Sequence, residues 1–363
     1  MKRVLITGGC GFVGSNLAIA FAGCGHDVTV FDNLSRHGSE ILKIRVMAQG
    51  VHFVRGDVRK PEDLAALSGA FDLMIECSAE PSALVGTQGK DARYLLDVNL
   101  QGAINCFEWA RERHVPVIFL SSSRVYPYDK LNACAFSEAE TRFEFTGGCA
   151  GVSSQGVGVD MPLPGARSLY GATKLCAEFI LKEYAVQYGL PSIINRCGVI
   201  AGPWQMGKVD QGVFTFWLAN HYFKRPLAYI GYGGTGKQVR DLLHIQDLVD
   251  LVLIQAECLM QEKPLYFADI FNVGGGVRSN LSLQETTVIC QELTGHKMEI
   301  SGVMDARPVD MRWFITDNGN TPQAFNWQPR HSARDVLADT FIWLKENEGL
   351  VRQVFLEPTE TGK

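Results

Sequence analysis

Two kinds of run alternate along the chain. Short, almost wholly apolar runs of three to six residues fall at Arg3 to Thr7, Val28 to Phe31, Val51 to Val54, Leu73 to Ile75, Val115 to Leu120 and Ser192 to Asn195. Runs this short, bounded by Gly, Asp and Ser, predict strands covered on both faces. Longer amphipathic stretches separate them, most clearly Leu100 to Arg113 and Leu169 to Tyr188. Strand and helix in alternation predict an α/β fold with a doubly wound parallel sheet. Beyond about Arg196 the pattern loosens into glycine clusters at Gly231 to Gly236 and Gly274 to Gly276, the kind of loop that lines a substrate site. Further helices are predicted over His244 to Leu259 and from Ser282, where Glu285 completes a capping box. Residues 1–196 are read as one domain, with elements around 240–275 returning to it. Residues 197–363 form mainly a smaller C-terminal α/β substrate-binding lobe. The segment Tyr128 to Ser168, rich in Gly and Ser, reads as a long loop expected to fold over the substrate.

The first strand runs straight into Gly8, Gly9, Cys10, Gly11, Phe12, Val13 and Gly14. Glycines between a strand and a helix let backbone amides approach a pyrophosphate at the helix N-terminus, the dinucleotide signature of a Rossmann sheet. Asp32 ends the second strand about 20 residues further on, where an acidic residue bonds the adenosine ribose hydroxyls. A carboxylate there repels a 2′-phosphate, so NAD is favoured over NADP, with the nearby Arg36 as the one feature pulling the other way. Asp57, after the third strand, is placed near the adenine.

Composition narrows the class. The net charge of −5 over 363 residues argues against a nucleic-acid or membrane surface as the main partner. Lys2 and Arg3 precede an apolar stretch as in a signal peptide, but glycines break it, and no run approaches the ~18 apolar residues of a membrane span. The 10 Cys show no CxxC spacing, so no metal site is expected. Most sit in apolar runs (Cys77, Cys106, Cys176, Cys290) like small core residues, which suits a reducing cytoplasm.

Tyr170 and Lys174 stand four residues apart in a helix-forming run, so they share a helix face. An ammonium near a phenol favours the phenolate, a base able to take a proton from a carbinol while its hydride leaves. Ser121, Ser122 and Ser123 end the fifth strand, and ligands of open α/β sheets bind at the carboxyl ends of strands.

With TGGCGFVG (Thr7 to Gly14), FDN (Phe31 to Asn33), GDV (Gly56 to Val58), NLQG (Asn99 to Gly102), SSS.VY (Ser121 to Tyr126) and YGATK (Tyr170 to Lys174), the chain resembles the extended short-chain dehydrogenase/reductases, nucleotide-sugar branch, over nearly its whole length. The resemblance implies a tightly held NAD and a nucleotide diphosphate sugar in the cleft between lobes. It implies Ser123, Tyr170 and Lys174 as catalytic residues. Gly8, Gly11, Phe12, Val13, Gly14, Asp32, Asn33, Ser35, Arg36, Asp57, Val58 and Asn99 are implied around the cofactor, with Tyr170 and Lys174. Asn99 would support the Lys or a structural water, and Lys174 would also bond the nicotinamide ribose. The helices Leu100 to Arg113 and Leu169 to Tyr188 are where such proteins pair into homodimers, which makes Phe107, Trp109, Phe179 and Ile180 candidate interface residues, some of which must instead face the sheet.

Within the branch, dehydratases resemble one another in an Asp-Glu pair after the Ser/Thr position, where this chain has Arg124 and Val125; decarboxylases carry a Glu there that is also missing. A minimal Ser/Tyr/Lys set suffices for epimerisation. The stretch Asn195 to Gln205, then Asp210, Gln211 and Gly212, and Gly236 to His244 (GKQVRDLLH) resemble the 2-epimerases of CDP-linked deoxyhexoses. Ser122, Arg124, Gln205, Gln211, Arg240, Arg307 and Arg312 are the substrate contacts this implies, Arg240 offering a fork for the diphosphate. A 4-epimerase, an NADPH-dependent reductase and a non-catalytic NAD-binding protein are the alternatives. One stretch departs from the pattern: the expected Ala-Gly run after the fourth strand reads Glu76, Cys77, Ser78, Ala79, Glu80, Pro81, Ser82.

Overall fold

A computed structural model describes residues 1–87, 91–207 and 212–356. The six predicted strands and a seventh join one sheet, numbered here along the chain: β1 Arg3–Thr7, β2 Asp27–Asp32, β3 His52–Arg55, β4 Leu73–Glu76, β5 Val117–Ser122, β6 Ser192–Cys197 and β7 Phe267–Val273. All are parallel, in the order β7-β6-β5-β4-β1-β2-β3. Alternate side chains leave opposite faces of a strand, so each apolar run feeds two cores. Val4, Ile6, Ile75 and Ile118 pack beneath the helices Phe12–Gly23 and Ile245–Leu259. Leu5, Met74, Val117 and Phe119 meet Gly102–Glu112 and Leu169–Tyr188 on the other face. Coverage on both faces is why these strands read as unbroken apolar runs.

Reversal of strand order lies between β1 and β4, and their carboxyl ends open the crevice where such sheets bind ligands. A second group of strands, Val199–Ala201, Val239–His244, Asn280–Ser282 and Trp313–Phe314, stands across that crevice. It is backed by the helices Val213–Tyr222, Leu283–Thr294 and Ala333–Glu346 around Trp217, Leu218 and Trp343. The capping box at Ser282 and Glu285 is formed as expected. No helix among the described residues is long and apolar enough to cross a membrane.

Three expectations are corrected. The segment 128–168 is not one loop: it holds the helix Tyr128–Ala133 and two small antiparallel ribbons, Ala135–Glu138 with Phe143–Gly147 and Val152–Ser153 with Gly156–Val157. Phe145 stacks on Trp313, so this segment packs against the outer strand of the second lobe and contributes nothing to the lining of the large cavity. Cys134 and Cys149 are joined as a disulfide between that helix and the turn after the ribbon, and Cys176 is exposed rather than core. Of the candidate interface residues, Phe107 and Trp109 are buried against the sheet, Ile180 is half-buried and Phe179 is 54% exposed.

His244 caps the helix Ile245–Leu259, its Nδ1 accepting from the Gln246 amide, and stacks 4.1 Å from the His331 ring. Burial, then His331, lowers the His244 pKa, against Asp339, Asp247 and Asp335, and burial also lowers that of His221. A lowered folded pKa means that the unfolded chain takes the proton first, so this stability is complete above about pH 6.5 and is lost as pH falls through the folded values. The melting temperature is expected to drop as pH falls below about 6.5. His244→Asn, which keeps a capping side chain, should flatten part of that drop; an unchanged profile would assign it to other groups.

Candidate active site

The glycine loop is shaped by contacts that leave no room for a Cβ. Gly8 adopts φ +63°, and a Cβ there would lie 2.9 Å from the Cys77 carbonyl; one on Gly14 would lie 2.4 Å from the Gly8 oxygen. The N-terminus of Phe12–Gly23 carries no side-chain cap, and Phe12 and Val13 face the large cavity. Uncapped first-turn amides on a concave wall are what a pyrophosphate requires. Asp32 is fixed by the amides of Cys10 (3.0 Å) and Leu34 (2.8 Å), and burial pushes its carboxyl up against those two bonds and the field of Arg36. Asn33 donates to Asp57 at 3.2 Å, the Ser35 amide is held by Asn33, and Arg59 holds the Asp57 carboxyl down at about 2. Arg36, with Gly11 and Phe12, lines a smaller pocket beside this loop. Val58 is buried, and its carbonyl accepts from Asn105. These residues form a cradle that fits NAD.

At the ends of β4 and β5 the crevice opens into a cavity of about 560 Å³. Tyr170 and Lys174 enter it from Leu169–Tyr188, whose first turn is capped by Ser168 Oγ accepting from the Gly171 amide at 3.1 Å. A Cβ on Gly171 would lie 2.0 Å from the Arg124 oxygen, so glycine there lets the Tyr170 turn seat against the serine strand. The three serines diverge. All three line the cavity, but Ser121 also donates to Glu178, the Ser122 Oγ accepts from the Arg124 amide, and Ser123 sits in a short 3-10 turn. Lys174 Nζ lies 3.7 Å from Glu76 Oε2 and 4.6 Å from the Phe119 ring centroid.

The cavity also has a cationic wall. Arg124, Arg240 and Arg307 all line it. Arg240 Nη2 pairs with Asp310 (2.9 Å) and not with Asp241, which is buried and receives the Gly276 amide. Arg124 Nη1 donates to the Val309 carbonyl at 3.0 Å; burial and the neighbouring Arg240 bring its pKa to about 10. Arg312 does not join this wall: it points to the Asn132 carbonyl and the Tyr232 ring. Gln205 lines the cavity with its amide already committed, Nε2 to Ile200 O and Oε1 to Thr215. Gln211 lies outside the described residues.

Asn99 is also placed differently from expectation. It sits in a π-turn, Asp97–Gln101, that precedes the predicted helix, and both ends of its amide are taken by the Glu80 backbone (2.8 and 3.0 Å). Sequence reasoning passed over Glu178 entirely. Its carboxylate receives Arg196 Nε on both oxygens and Nη2 at 2.7 Å, and fixes Ser121. The signal was available: a Glu two turns beyond Tyr170 on a helix face otherwise occupied by core residues.

An uncapped glycine loop after β1, a carboxylate at the end of β2 and a Tyr/Lys pair on the large cavity are the features of a nicotinamide-dependent enzyme. The chain belongs to the NAD-dependent epimerase/dehydratase family, whose model matches residues 4–274. It is 29% identical over 353 residues to the CDP-paratose 2-epimerase of Salmonella typhi, covering 94% of this chain and 98% of that one. It is 25% identical to a UDP-glucose 4-epimerase of Corynebacterium glutamicum, with 94% and 95% covered. The UDP-glucose 4-epimerase of Thermus thermophilus, solved in complex with NAD, shares the fold with a TM-score of 0.74 at 24% identity, over 94% of this chain and 99% of that one. NAD is the cofactor, and nucleotide sugars are the substrate class of the family.

Proposed function

We propose that the chain is a nucleotide-sugar epimerase that inverts C2 of a CDP-linked deoxyhexose. The observation that carries the reading is the convergence of Ser122, Ser123, Tyr170 and Lys174 on one cavity that also bears Arg124, Arg240 and Arg307. The first group handles a carbinol; the second suits a diphosphate. No carboxylate follows the serines: Arg124 is a cation bonded to a carbonyl and Val125 is fully buried, so the acid and base of a dehydration are missing at those positions. The choice of C2 and of a CDP sugar draws on the 29% identical relative and the Gly236 to His244 stretch.

In this reading Tyr170, as phenolate, takes the proton of the C2 hydroxyl, which the Ser122 and Ser123 hydroxyls hold in place. Lys174 supplies the positive field beside Tyr170. NAD, held by the cradle, supplies the hydride acceptor and the hydride returned to the opposite face. Between the two transfers the arginine wall keeps the diphosphate anchored while the ketose turns over, and Tyr170 gives its proton back.

The test is proton NMR with mass spectrometry of the purified enzyme with CDP-, UDP- and GDP-hexoses and their deoxy forms in D2O, without added cofactor. Inversion at C2 at unchanged mass, with no carbon-bound deuterium, is the expected result. Inversion at C4 would reassign the carbon, loss of water would overturn the epimerase reading, and turnover only with added NADPH would make the enzyme a reductase. For the wall, Arg240→Ala is expected to raise KM by about 10- to 100-fold with a smaller change in kcat, as for the loss of one charge-assisted fork. Steady-state kinetics checks it, and an unchanged KM would remove Arg240 from substrate binding.

A further inference from the structure

Lys174 reaches back from its helix to the end of β4, and its ammonium ends in a corner closed to water. The Lys174 side chain is 2% exposed and that of Glu76 0%. Glu76 Oε1 accepts the Ser78 amide at 2.8 Å, while Oε2, the atom nearest Lys174, has no hydrogen-bond partner among the described residues. The surroundings are neutral. Burial pushes up the thiols of Cys77, Cys106 and Cys197, and the other polar groups are the hydroxyls of Thr7 and Ser78. Burial raises the Glu76 carboxyl as well, and Lys174 is the first group that opposes this.

A charge buried in such a corner needs a counter-charge, and a carboxylate supplies it. Asn99, the residue expected to support the lysine, is taken up by the Glu80 backbone. Glu76 itself touches no substrate, because Cys77 and Ala79 form the cavity wall in front of it. Resting on the Tyr170/Lys174 chemistry proposed above, we propose that Glu76 is a positioning residue: its carboxylate holds the Lys174 ammonium, charged and against the β4–β5 edge, beside Tyr170. At Glu76 the departure is then a change in how the lysine is supported, while Cys77, Ala79 and Pro81 line the cavity.

Charge and shape can be separated at this site. Glu76→Gln keeps the shape and removes the charge; Glu76→Asp keeps the charge and leaves a gap of about one methylene. If Glu76 holds the lysine by charge, Glu76→Gln loses about 10- to 100-fold in kcat, the scale of a misplaced catalytic group, and Glu76→Asp retains more activity than Glu76→Gln. If Glu76 only fills space, the order reverses, and that overturns the proposal. A second readout needs no substrate. In the NAD-loaded chain, Lys174→Met strands a buried carboxylate, so adding Glu76→Gln should recover part of the lost melting temperature; additive losses would show the two groups to be uncoupled and overturn the proposal. NAD content after gel filtration accompanies each variant, so that a change in turnover is not mistaken for loss of cofactor. Failure of the Tyr170/Lys174 chemistry shows separately, as normal turnover by Tyr170→Phe. The melting cycle decides the Glu76–Lys174 pair in either case.

Discussion

Replacing Tyr170 by Phe is expected to lower kcat by about 10²- to 10⁴-fold while NAD stays bound, the range over which a positioned general base acts. Tyr170 is 9% exposed, on the wall of the large cavity, in a turn held by the Ser168 cap and by Thr173 Oγ1 donating to the Tyr170 carbonyl at 2.7 Å. The substitution removes one oxygen and keeps the ring, so the packing around that turn and the Lys174 position survive it. Loss of the base should therefore appear in kcat, with little change in KM or melting temperature. The measurement is turnover per bound NAD, with NAD quantified after denaturation. Near-normal turnover would remove Tyr170 from the chemistry, and an equal loss of NAD would recast it as a cofactor-binding residue.

Glu178→Ala is expected to cost about 3–5 kcal/mol of stability, because it leaves the buried Arg196 cation without its partner. Glu178 is 1% exposed and Arg196 3%, and the pair joins the helix Leu169–Tyr188 to β6 beneath the serine strand. Arg196 Nη1 also donates to the Tyr126 hydroxyl (3.3 Å), which donates to Asn272 at 2.6 Å, so one network ties β5, β6 and β7 together at their carboxyl ends. Denaturant titration against the native chain measures the loss. Glu178→Met with Arg196→Met should be far milder than Glu178→Ala, since removing both charges leaves neither unpaired. If Glu178→Ala unfolds no earlier than the double variant, the pair contributes nothing of this kind. Ser121 loses its acceptor in Glu178→Ala, so residual activity should fall even in the fraction that remains folded.

Much of the architecture was legible because its signals are local. The helix Leu169–Tyr188 and the first strand fall on their predicted bounds, and the other predicted strands extend theirs by one or two residues at an end or start later, as at Val117. The segment 128–168 misled for a physical reason. Its strands are two to five residues long, and its order comes from packing on Trp313 and Phe314, residues far along the chain, so no local periodicity marks it. Arg312 and Arg240 look alike in the sequence, each within two residues of an Asp, yet the strand carrying Val239–His244 presents Arg240 to the cavity while Arg312 holds the Asn132 carbonyl. The cysteines show the same limit. Composition suggested a core role for most of them, and only the approach of the Tyr128–Ala133 helix to the following ribbon pairs Cys134 with Cys149.

By itself the sequence determined the parallel sheet, the dinucleotide loop and the Tyr170/Lys174 pair, since each depends on residues a few positions apart whose spacing fixes a turn, a strand face or a helix face. Tertiary structure alone decided what surrounds that pair. Glu76 meets Lys174, Glu178 meets Arg196, and Arg124 comes to face Arg240 only when strands and helices distant in the chain close around one crevice. Burial gives those charges their effect, and burial belongs to the assembled fold; no stretch of sequence carries it.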